Sequence, residues 1–139
     1  MKIYKLVHVQ LMKNHRNEIK DIGYFSDLAK VYEVIDFYKT LSGFSDHIFG
    51  FLVSEKETHE HIDTVLYEAI FYIHNSNYSM EYNDLVGIYD SEEKAYLSLN
   101  NHLVLNGDFI NSHNYDVELI VNRHIINKPS NWKEGFIED

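Results

Sequence analysis

The feature that most constrains this chain is an internal similarity at a shift of about 64 residues. Ile22-Gly23-Tyr24-Phe25-Ser26 answers to Val86-Gly87-Ile88-Tyr89-Asp90, and both read hydrophobic, glycine, hydrophobic or aromatic, aromatic, cap. A helical pattern follows each. Leu28, Val31, Ile35 and Tyr38 step by three and four, and Ala95, Leu99 and Leu103 step by four, so each segment carries one apolar stripe. Ser26 is the expected N-cap of the first helix. Asp90 with Glu93 three residues on reads as a capping box for the second, with Glu92 and Glu93 suited to the helix dipole. Ser42-Gly43-Phe44 and Asn106-Gly107-Asp108-Phe109 suit left-handed helix ends followed by a phenylalanine that folds back. Gly23 itself suits close packing or a β-bulge at a strand end.

Extended segments lie on either side of each helix. Ile3 to Gln10 and Val65 to His74 precede, with Tyr4 matching Tyr67 and Val7 matching Ile70. An alternating run from Ile48 to Val53 follows in one half and one from Tyr115 to Val121 in the other. Polar hairpin connections are expected at Lys13 to Asn17 and Asn75 to Ser79, and Ser54 to Thr64 is the expected linker. The spacing therefore predicts an α+β fold of two diverged β-β-α-β repeats, residues 1–58 and 65–139, with antiparallel sheet. Repeats of this size rarely bury a helix and a sheet alone, so residues 1–139 are expected to form a single domain around a shared core.

The similarity extends outside the chain. Val86-Gly87-Ile88-Tyr89-Asp90-Ser91, Gly107 to Phe109 and the terminal Trp132-x-Glu134-Gly135-Phe136 resemble a family of small uncharacterised bacterial and phage-encoded domains. The first half matches through Ile22 to Ser26, Gly43-Phe44 and Phe49-Gly50-Phe51 and lacks the tryptophan segment. The resemblance implies the fold. It implies no activity, because the matching residues are structural punctuation.

Composition narrows the function. The formal charge is −10 from 22 acidic and 12 basic residues, which disfavours attraction to nucleic-acid phosphates. There is no cysteine, which excludes disulfides, thiolate metal sites and a cysteine nucleophile. No GxSxG elbow and no glycine-rich phosphate loop occurs, so an enzyme is the less favoured class and no catalytic residue or cofactor is assigned. The opening Met1 to His8 has charges every few residues and reads as no secretory signal. No run approaches the ~18 to 20 apolar residues of a membrane helix, so a cytoplasmic location with no membrane partner is expected.

Three candidate sites remain. Residues 65–139 hold twelve acidic and four basic side chains against ten and eight in residues 1–64. Asp84, Asp90, Glu92, Glu93, Asp108, Asp116 and Glu118 could form one acidic face for a basic protein partner. The leading expectation is thus a non-enzymatic acidic binding protein that blocks its partner, of the immunity or phage anti-defence kind. The alternative is a small anionic, nucleotide-like ligand held by Arg16 and Arg123, the only two arginines, with stacking on Tyr72, Tyr78, Tyr82, Tyr89 and Trp132. His59, His61 and Asp63 would share one face of a strand and are a weak metal candidate. The segment from Pro129 to Phe136 reads as an arm that docks on its own core or closes a homodimer.

Overall fold

The computed structural model describes residues 1–10, 18–75, 80–130 and 132. Its elements are β1 (Lys2–Gln10), β2 (Glu18–Phe25), α1 (Leu28–Tyr38), β3 (Phe51–Glu57), β4 (Val65–Asn75), β5 (Met80–Tyr89), α2 (Glu92–Leu105), α3 (Gly107–Ser112) and β6 (Asp116–Ile125). The fold is α+β with two antiparallel three-stranded sheets, ordered β2-β1-β3 and β5-β4-β6. No helix among the described residues is long and apolar enough to cross a membrane. The expected hairpins at 13–17 and 76–79 lie outside the described residues, and Asn75 is the last residue of β4.

Two compact units result, and they are not the two sequence halves. Met1 and Thr58–His124 form a central unit, while Lys2–Glu57 and Ile125–Asp139 form a terminal unit. The C-terminal segment thus belongs with the first half. Asn127 N–H donates to Tyr24 O at 2.8 Å, Ser130 N–H to Ile22 O at 2.7 Å, and the Tyr38 hydroxyl to Ser130 O.

In the terminal unit, α1 lies on one face of its sheet and packs Val31 and Tyr38 against Leu6, Ile22, Phe25 and Phe44. The register of β1 with β2 slips between Leu6 and Val7, since Leu6 faces Gly23 but Val7 faces Asp21. Ile22 is the extra residue. Its side chain joins the helix-side core, while the space over Gly23 is taken by Lys128 O and the Phe25 ring. β4 and β5 repeat the device: Ala69 faces Gly87, Ile70 faces Leu85, and Val86 is the extra residue packed against the helix-side cluster. That cluster joins Ala69, Phe71 and Ile73 of β4 to Ala95 and Leu99 of α2 and Ile110 of α3. Each leucine, isoleucine or phenylalanine side chain among these contributes roughly 1.5–3 kcal/mol on full burial.

The helix ends differ from the expected ones. Asp27, not Ser26, caps α1 by accepting from Lys30 N–H at 2.9 Å. Ser26 is taken by a long-range partner instead, its N–H donating to Asn127 Oδ1 at 2.9 Å. Ser91, not Asp90, caps α2 by accepting from Lys94 N–H at 3.2 Å, which leaves Asp90 free to use its carboxylate on a side chain. Gly43 is left-handed, with φ 82°, and Phe44 folds back on Tyr38 with ring centroids 5.0 Å apart. Gly107 closes nothing, because it opens α3.

The strand expected from Ile48 begins only at Phe51, since residues 44–49 turn tightly and Gly50 packs against β1. β3 then runs to Glu57, which shortens the expected linker to 58–64. A Cβ on Gly50 would stand 2.5 Å from Val9 O and 2.7 Å from His8 Nε2. One on Gly107 would meet nothing within 4 Å. Gly50→Ala is therefore expected to destabilise the protein by about 1–3 kcal/mol, the range for forced overpacking. Gly107→Ala should be neutral or stabilising by up to about 1 kcal/mol, both read from urea unfolding midpoints.

His8 supplies a pH dependence. It is fully buried between the Phe44 and Phe51 rings, and its Nε2–H donates to His47 O at 2.8 Å. Burial, the largest influence, holds its imidazole below the ordinary 6.5. The unfolded chain therefore takes up this proton at higher pH than the folded one. The contribution is complete above pH ~6.5 and is lost as pH falls toward the folded value. Stability should rise from pH 5 to 7, and the slope in His8→Gln should be lower by up to about one proton.

Candidate functional site

The central unit holds a cleft of about 560 Å³ between the flank of α2 and β5. α2 presents two rows of side chains because it is apolar on more than one side. Ala95 and Leu99 point into the core, whereas Lys94, Leu97, Ser98, Asn101, His102 and Leu105 line the cleft. Leu97 is 56% exposed and Leu105 83% exposed, so this wall is apolar and open to solvent. β5 contributes Val86, Ile88 and Tyr89, and the segment before β4 contributes His59 and Glu60. The Tyr89 hydroxyl donates to Ser98 Oγ at 2.6 Å, which ties strand to helix across the floor.

One ammonium closes the upper end. Lys94 Nζ lies 2.6 Å from Glu60 Oε2 and 2.9 Å from Asp90 Oδ1. Glu60 is held for this contact by Thr58, whose Oγ1–H donates to Glu60 O at 2.7 Å and whose N–H donates to Met1 O at 2.8 Å. Hydrogen bonds to Glu60 and Asp90 hold the Lys94 ammonium above its ordinary value. Asp90 is correspondingly held below the ordinary carboxylate range, chiefly by Lys94 and then by Glu60. At the lower end, His102 Nε2 lies 3.6 Å from Asp84 Oδ2 and stands edge-on to Phe71 at 4.6 Å.

The residues singled out from the sequence are spread around this frame. Asp84, Asp90, Glu92 and Glu93 lie on the helix side or at the start of α2. Asp116 and Glu118 do not join them. Val117, Leu119 and Val121 of β6 pack on the helix-side cluster, so strand alternation turns Asp116 and Glu118 to the opposite face of the sheet. The seven acids therefore do not make one face. Asp108 is exposed in the first turn of α3.

The ligand set is divided too. Tyr89 lines the cleft, while Tyr72 is stacked on His74 at 5.2 Å and alternates away from Phe71 and Ile73, onto the other face of the sheet. Tyr82 is exposed on β5 and Arg123 is exposed on β6. Trp132 is in the terminal unit, with Nε1–H donating to Asp21 O at 2.8 Å and Lys20 Nζ 4.7 Å from its ring. Arg16, Tyr78 and residues 133–139 lie outside the described residues. Among the described residues no three histidine or acidic side chains are grouped to hold a metal ion. His61 and Asp63 pair at 2.7 Å, and His59 lines the cleft without them.

Sequence reasoning passed over Glu60, Lys94, Leu97 and Leu105. A signal for the last two was present: Leu97, Val104 and Leu105 fall outside the stripe of Ala95, Leu99 and Leu103.

Lys94→Met should let the Asp90 carboxyl return upward toward the ordinary aspartate value, visible by carbon-detected NMR titration. In the native chain the Asp90–Lys94 contact is complete above that ordinary value and is lost as pH falls through the lowered folded one. No family model, curated protein or solved structure matched the chain, so the reading of this cleft rests on its geometry and charge.

Proposed function

We propose that the protein is a non-enzymatic acidic binding protein that takes hold of a basic protein partner and blocks it, in the manner of immunity proteins and phage-encoded inhibitors. The observation that carries this reading is the charge of the unit that holds the cleft. Residues 58–124 contain eleven acidic and two basic side chains, whereas the rest of the chain contains eleven and ten. Almost the whole net charge thus belongs to the unit with an open apolar wall. Such a combination speeds encounter with a positively charged protein and offers it an apolar contact once docked.

The electrostatics of the cleft favour this reading over a small anionic ligand. Among the described residues, Lys94 is the one lysine or arginine on its walls, and its ammonium is already shared by Glu60 and Asp90. An incoming phosphate would meet two carboxylates beside the cation it needs. A cationic side chain would gain from both.

The test begins with protein purified from cells that naturally contain it, weighed under native and denaturing conditions. A second, basic polypeptide is expected. A bound compound of a few hundred daltons in its place would overturn the reading. With the partner in hand, the triple variant Asp84→Lys, Glu92→Lys, Glu93→Lys should slow association at low salt by about tenfold or more, less so at high salt. Arg123→Ala should leave the rate within about twofold.

A further inference from the structure

The cleft runs along an open strand edge, and that determines what can enter it. β5 is outermost in its sheet, with β4 on one side and no strand on the other among the described residues. Tyr89 and Val86 belong to the helix-side face of the sheet, whereas Ile88 faces Glu68 across the ladder and belongs to the other face. All three line the cleft. Residues of both faces reach one cleft only where the strand presents its edge.

The α2 flank from Lys94 to Leu105 rises about 16 Å, which matches about five residues of extended chain lying along the edge of β5. β5 has no lysine and no proline between Met80 and Tyr89, and its guards are the bulge at Val86 and the carboxylates of Glu81 and Asp84, which repel an acidic strand and attract a basic one.

We propose that the basic partner inserts an extended segment into this cleft, adding a fourth strand to the edge of β5 beneath α2. The proposal rests on the functional reading above and names how the partner is held. Backbone hydrogen bonds to β5 supply register. On the helix side, apolar side chains in the middle of the segment lie against Val86, Leu97 and Leu105, and lysine or arginine side chains at its ends face Glu60 and Asp90 at one end and Asp84 at the other, while the intervening side chains point to the opposite face of the sheet.

The probe is an acetylated, amidated heptapeptide, Arg-Ser-Val-Ser-Val-Ser-Arg, which places its arginines and valines on one face and is titrated into the whole ¹⁵N-labelled protein at low salt. Two derivatives carry N-methyl groups, one on every arginine and valine amide and one on every serine amide. Alternate amides of a strand point to opposite edges, so strand addition requires a lopsided response. One derivative should bind at least tenfold more weakly than the parent and the other within threefold, with shifts in β5 and the α2 flank. Leu105→Lys, at a position 83% exposed and so without a folding role, should weaken the parent peptide by about tenfold.

If both derivatives match the parent, strand addition is wrong while the basic-partner reading stands. Absence of binding by the parent peptide at millimolar concentration also overturns strand addition. Equal binding by the same peptide with glutamate in place of both arginines would overturn the basic-partner reading, and strand addition by a basic segment with it.

Discussion

A glycine on the helix-facing side of a strand leaves room that the ring two residues on takes, Phe25 over Gly23 and Tyr89 over Gly87, and the architecture of both units follows from the bulge beside it. Regular alternation would give the helix side only Gly23 in β2 and Gly87 in β5, neither of which has a side chain to bury. The one-residue bulge brings Ile22 and Val86 to that side as well. The slip resets the alternation for the rest of each strand, sending Asp21 and Leu85 to the face away from the helix. In the central unit the same slip bends β5 where the cleft passes it, so that Val86 serves core and cleft together. Packing and site are therefore linked through a single backbone irregularity.

Around that frame the cleft is built from weak parts. The Lys94, Glu60 and Asp90 contacts are exposed, and exposed ion pairs add little to stability. Their effect is positional. They hold the 58–60 segment against the first turn of α2 and place two carboxylates where an incoming cation would otherwise find only Lys94. The apolar residues that give the wall its breadth, Leu97 and Leu105, are likewise outside the core, and removing them would cost the fold little.

Much of the fold was legible in the sequence because local rules governed it. The stripes of α1 and α2, the strands β1 and β4 and the bulge glycine were all readable from spacing and side-chain size. Errors arose where a distant residue decided the outcome. Ser26 lost the cap of α1 to Asp27 because its Oγ, the atom a cap needs, accepts from the Nδ2–H of Asn127, about a hundred positions on. β3 started late because Gly50 is pressed against Val9 and His8. The acidic residues were identified correctly as a feature of the second half, but period-two alternation with Val117, Leu119 and Val121 already separated Asp116 and Glu118 from the others. Glu60 was beyond reach, since nothing local to it indicates that its partner is Lys94, 34 residues away.

The return of the chain after His124 to the unit formed by its first residues has a consequence for biogenesis. Residues 58–124 are contiguous and can complete their sheet and helices while the end of the chain is still being made. The terminal unit has its three strands and α1 by then but lacks the bonds that Asn127 and Ser130 give to Tyr24, Ile22 and Tyr38. During synthesis at about 5–20 residues per second, the unit begun first is thus the last to gain all its contacts, and the residues after His124 act as its closing latch.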